Sequence, residues 1–97
     1  MRQTIITAIR EKRILTFNYE GYHRVVEPHC FGLTRAGNEA LRCYQVRGGS
    51  SSGNVPDWKM MTTDKITGLT LTQDVFLRPR PGYQKGDRGM STIFCEL

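Results

Sequence analysis

The chain has 97 residues, 38% of them hydrophobic and 24% charged, and its fourteen Lys and Arg against nine Asp and Glu give a formal charge of +5. That length suits one domain around one core, and the composition is that of a folded globular chain rather than a disordered one. No apolar run approaches the ~20 residues that cross a bilayer, and the N-terminus lacks the apolar stretch and small-residue cleavage site of a secretory signal, so a cytoplasmic protein without membrane contact is expected. The excess of base favours an anionic partner.

Arg2 to Arg13 is expected to form an amphipathic helix, with Ile5, Ile6 and Ile9 on one side and Arg2, Gln3, Arg10, Glu11 and Lys12 on the other. The period then changes to two. Leu15, Phe17 and Tyr19 point one way and Thr16 and Asn18 the other, which predicts a strand from about Ile14. Glu20-Gly21 supplies a turn, and His23 to Glu27 returns as the second arm of a hairpin. Pro28 cannot donate to a ladder, which predicts a bend or an edge there. Extended chain from Cys30 to Thr34 meets turn chemistry at Arg35-Ala36-Gly37-Asn38, and Glu39 to Val46 reads as the next strand.

In that strand Leu41, Cys43 and Gln45 share one face, while Ala40, Arg42, Tyr44 and Val46 share the other. Gly48 to Pro56 has loop composition. Its glycines lack both the Lys-Ser/Thr pair of a phosphate loop and the GxGxxG spacing. Strands are expected at Trp58–Thr62 and Leu69–Thr72, separated by a turn at Asp64-Lys65-Ile66. Short strands with regular turns predict a small, mostly β barrel of about five strands over residues 14–74. The remainder, 75–97, is stiffened by Arg78-Pro79-Arg80-Pro81 and turns apolar near Ile93 and Phe94, so it is expected to dock on the barrel or on a partner. The whole of 1–97 is taken as one domain, with its helix at 2–13.

Cys30, Cys43 and Cys95 are widely spaced, with no CxxC pair and no histidine at zinc-ligand spacing, so buried free thiols are expected and neither metal nor disulfide framework is. His23 and His29 have no carboxylate or Cys at motif spacing and read as ordinary turn and strand residues. No hydrolase, zinc-protease or Cys-nucleophile motif occurs, so neither catalysis nor a cofactor is expected.

The order of the helix, Leu15-Thr16-Phe17-Asn18-Tyr19-Glu20-Gly21, Arg24-Val25-Val26-Glu27-Pro28, a strand with Leu41, and Asp64-Lys65-Ile66 resembles the WYL domain family over most of residues 5–72. The resemblance implies an Sm-like or SH3-like barrel that senses a ligand, with nucleotides or nucleic acids as suspected ligands, in bacterial regulators and in proteins tied to phage defence. It also implies a stand-alone, divergent member. The tripeptide that names the family falls on Glu39-Ala40-Leu41, where only Leu41 fits, and Lys65 stands where Arg is typical, losing the bidentate fork that suits phosphate.

The candidate ligand-binding residues are Arg24, Arg42, Tyr44, Gln45 and Lys65. Arg24 matches the family's basic position, the alternative being a solvated side chain paired with Glu20 or Glu27. Arg42 and Tyr44 put a guanidinium beside a ring, which can hold a phosphate and stack a base, or simply pack across strands. Gln45 and Lys65 follow from the matched segments. Two readings stay open: a binding module for a nucleotide or single-stranded nucleic acid, and a protein-interaction module that forms a homodimer or docks on a partner regulator.

Overall fold

A computed structural model describes residues 1–97 and consists of one helix and six antiparallel strands. Helix α1 (Arg2–Glu11) buries Ile5, Ala8 and Ile9, with Ile6 half-buried beside them. It stops short of Arg13 because Lys12 takes a left-handed conformation, φ 51°, and its N–H caps the carbonyls of Ala8 and Ile9. Strand β1 (Arg13–Tyr19) follows directly and returns through Glu20 and Gly21, both at positive φ. Two such residues match the twist of a tight hairpin, and Gly21 takes its conformation without strain.

Strand β2 (Tyr22–Thr34) runs thirteen residues through Pro28, where a bend or an edge was expected. The proline is accommodated because β2 changes partners around it: Val26 is the last residue paired with β1, and Cys30 is the first paired with β6 (Met90–Glu96). On its other side Pro28 adjoins a register shift against β3 (Glu39–Gly48). The expected turn at residues 35–38 forms, with Gly37 at φ 85° and its N–H bonded to Thr34 O.

After a loop at 49–56 come β4 (Asp57–Thr62), a single 3-10 turn (Thr63–Lys65) and β5 (Ile66–Val75), which is much longer than the four residues expected. The sheet order is β4-β3-β2-β1-β5, with β6 beside the distal half of β2. Strands β4 and β5 are not paired, so the sheet is open where a closed barrel was expected. Inside its curve α1 covers a core that includes Leu15, Phe17, Val26, Phe31, Leu41, Cys43 and Met61.

The tail returns to its own sheet. Segment 76–89, here called the strap, crosses the outer face of β2, β3 and β4, and β6 then pairs with β2. Ile93 lies opposite Gly32, and Phe94 meets Phe31 edge-on at 5.3 Å. Covering by the strap is why β2 is buried on both faces, including the polar Glu27 and His29.

Candidate functional site

The strap is held by three anchors. The first is His29, fully buried on β2 and surrounded by Trp58 edge-on at 4.7 Å, Phe76 stacked at 5.5 Å and Tyr83 at 5.2 Å. Its Nδ1 lies 2.8 Å from Glu27 O, and its Nε2 lies 3.0 Å from the Arg80 backbone N. A carbonyl can only accept and an N–H can only donate, so the ring is neutral, protonated at Nδ1 and accepting at Nε2. Burial accordingly pulls the His29 pKa below its ordinary value, with the nearby Arg80 charge adding to this and Glu27 opposing it.

The second anchor is bidentate. Arg80 Nε and Nη2 donate to the two oxygens of Glu27 at 2.7 and 2.9 Å, and the guanidinium lies 4.8 Å above the Tyr44 ring. The third fixes the other end of the strap, where Arg42 Nε donates to Asp87 Oδ2 at 2.7 Å. The hydrogen bonds that Asp87 accepts from Arg42 and from Gly89 N–H hold its carboxyl below the usual carboxylate range.

Between the second and third anchors lies an open cavity of about 270 Å³ lined by Arg42, Trp58, Tyr83, Gln84, Asp87 and Arg88, together with Gly82 and Gly86. Trp58, the only tryptophan, donates its indole N–H to Pro81 O and stacks at 6.4 Å on Tyr83. Burial pushes the Tyr83 hydroxyl up to about 12. Arg35 reaches the same end of the strap, donating from Nε to Arg88 O. Three arginines thus gather where Asp87 is the one carboxylate bonded to any of them.

The five residues singled out from the sequence do not form one groove. Arg24 is 3% exposed and pairs with neither Glu20 nor Glu27. Its Nη1 donates to Gln45 Oε1 and its Nη2 to Tyr19 O, each at 3.1 Å, and its guanidinium lies between the rings of Tyr19 and Tyr22 at 5.4 and 5.5 Å. Its Nε has no partner. Gln45, also fully buried, donates in turn to the carbonyls of Arg47 and Gly49. Alternation along β3 puts Arg42 and Tyr44 on the opposite, strap-covered face. Arg42 is committed to Asp87, and the cation over Tyr44 comes from Arg80 rather than Arg42. Lys65 is exposed, 4.0 Å from Glu20.

Sequence reading missed Glu27, His29, Trp58, Arg80 and Asp87 as members of a site. The one local signal was the proline-stiffened run at 78–81, where Arg80, between a bend at 77–78 and a turn at 81–82, presents both its backbone N–H and its side chain to β2. No group of three or more His, Cys, Asp and Glu is placed to hold a metal. No protein-family model matches the chain, and no curated protein and no solved structure is significantly similar to it.

Proposed function

We propose that the chain is a non-catalytic binding module for a nucleotide or a short single-stranded nucleic acid, taken at the cavity beneath the strap. The observation that carries this reading is the pairing, in one recess, of the half-buried Trp58 and Tyr83 rings with the exposed Arg88 guanidinium, which bonds no carboxylate, while Arg42 stays on Asp87. Rings of this kind stack on bases whatever their identity, and arginines meet phosphate with a planar fork. The recess is near the small end of ligand pockets, which run from about 300 Å³, so a single base or base-sugar unit suits it better than a longer ligand. In this reading Tyr44 stiffens Arg80 from below, the buried Arg24–Gln45 pair fixes the far end of β3, and Lys65 contributes only to the general positive field.

A WYL-like sensory role and a barrel of the Sm type belong to the same proposal. The strand order, with β5 beside β1 and β4 at the other end, supports a barrel left open at one seam. Trp58 makes the test direct. At low salt its emission should change on adding nucleotides or labelled oligonucleotides, anisotropy of the labelled strand should rise, and both effects should weaken steeply with salt. Arg88→Ala should weaken binding without altering the far-UV spectrum. Silence of both probes across nucleotides and oligonucleotides at low salt refutes the reading.

A further inference from the structure

We propose that His29 is a pH-sensitive latch: a proton taken from solvent at its Nε2 breaks the hydrogen bond from Arg80 N–H and releases the first half of the strap from the outer face of the sheet. This stands on the unliganded chain and goes beyond the nucleotide reading. Nε2 has one lone pair, and Arg80 N–H uses it at 3.0 Å. Once that lone pair holds a proton, two N–H groups point at each other at hydrogen-bond distance, and the contact turns from attractive to repulsive. The ring cannot escape by flipping, because Nδ1 is bonded to Glu27 O and three aromatic rings surround it.

Charged and titratable groups face the ring from its own strand and from the strap. Its own strand contributes the Glu27 carboxylate, which attracts the added charge but already receives both donors of Arg80. The strap contributes the Arg80 cation, the Tyr83 phenol and the apolar Phe76; β4 contributes the uncharged Trp58; β3 contributes Tyr44, which bears on Arg80 rather than on the ring. After protonation two cations therefore share one buried carboxylate inside an aromatic box. The strap can yield because 76–81 has no ladder hydrogen bonds: its backbone contributes Phe76 N–H to Lys12 O, Arg80 N–H to His29, Arg80 O to Tyr83 N–H within a local turn, and Pro81 O to the Trp58 indole. Leu77, 85% exposed, buries almost none of its side chain against the sheet. Release uncovers Tyr44 and Trp58.

The test follows hydrogen-exchange protection factors by NMR from pH 7.5 to 5.0, reading the Arg80 amide and the Trp58 indole N–H against the Val25 and Val26 amides of the central ladder. Protection at Arg80 and Trp58 is expected to fall by up to about tenfold per pH unit, the slope of one proton, while the ladder holds. His29→Gln, whose Oε1 can accept from Arg80 N–H without binding a proton, should show no such fall. The 15N shifts of the His29 ring in the unaltered chain, recorded in the same titration, should report Nε2 protonation over the pH range in which the protection is lost. The latch is overturned by constant protection at Arg80, by an equal fall in His29→Gln, by parallel loss across the ladder, or by a ring that titrates without moving the strap.

Discussion

Arg24 offers the sharpest test of how this small core is balanced, through Arg24→Met set against Arg24→Ala. The guanidinium is 3% exposed, donates two hydrogen bonds to neutral oxygens, lies against two tyrosine rings, and leaves Nε without an acceptor. Two charge-assisted hydrogen bonds at about 1.5–3 kcal/mol each, with two cation–π contacts at about 0.5–2 kcal/mol each, amount to roughly 4–10 kcal/mol in favour. Against them stands the cost of burying a cation without a carboxylate, several kcal/mol even after relaxation. The two sides nearly cancel. Met keeps most of the volume and removes the buried charge but leaves the buried Gln45 Oε1 without its donor, so Arg24→Met should cost about 1–3 kcal/mol. Ala adds a cavity between Tyr19, Tyr22 and Gln45 and should cost about 3–5 kcal/mol, a fall of roughly 12 °C or more in Tm for a domain of this size. Urea and thermal melts followed by far-UV circular dichroism measure both. Equal loss in the two variants would refute the reasoning, since the polar contacts, not the volume, would then hold the site.

Other consequences are simpler to check. Asp87→Asn removes the charge partner of Arg42, so the distal strap should loosen, seen as faster exchange at Gly89 N–H, while the melt shifts by about 1 kcal/mol or less because Arg42 is partly exposed. A Cβ at Gly32 would sit 2.1 Å from Thr92 O, so Gly32→Ala should cost about 1–3 kcal/mol and raise exchange in β6 before the rest of the sheet. Burial pushes the thiols of Cys30 and Cys43 up to about 12, so an aromatic disulfide reagent at pH 8 should label Cys95 alone in the folded chain and all three thiols in denaturant.

The helix, both hairpin turns and the inward residues of β1 were legible because each depends on neighbours within a turn or a strand. The 3.6-residue spacing of Ile5 and Ile9 and the Glu20-Gly21 pair carry their structure locally. What was not legible depends on the strap. In β2, Glu27 and His29 alternate with Val26 as a solvated face would, and nothing near them signals that Arg80, more than fifty residues away, will cover them. Arg24 was hidden for a related reason. A charged residue just after a turn is ordinarily at the surface, and its burial follows from Tyr19, Tyr22 and Gln45 closing around it, with Tyr22 itself seated against Gly49. The length of β5 was underestimated because its residues are mostly exposed and carry little apolar alternation, so that pairing with β1 alone defines it.

The two ends of the strap respond to acid in different ranges. His29 binds its proton less readily in the folded chain than in the unfolded one, so its contribution is complete above the ordinary imidazole value of about 6.5 and is lost as pH falls toward the lower folded value. Asp87 is also held low, but from a carboxylate reference: its contribution is complete above about pH 4 and is lost only as pH falls through its still lower folded value. On acidification the His29 contribution therefore starts to fall at a higher pH than the Asp87 one, while Arg42 still grips Asp87. In the proposed latch, opening starts at residues 76–81 while the distal end stays anchored, which keeps Arg88 beside Arg42 as the recess widens. The proposed binding cation, Arg88, stays in register while the cover over Trp58 lifts, so mild acid should change access to the rings before it disturbs the charges around them.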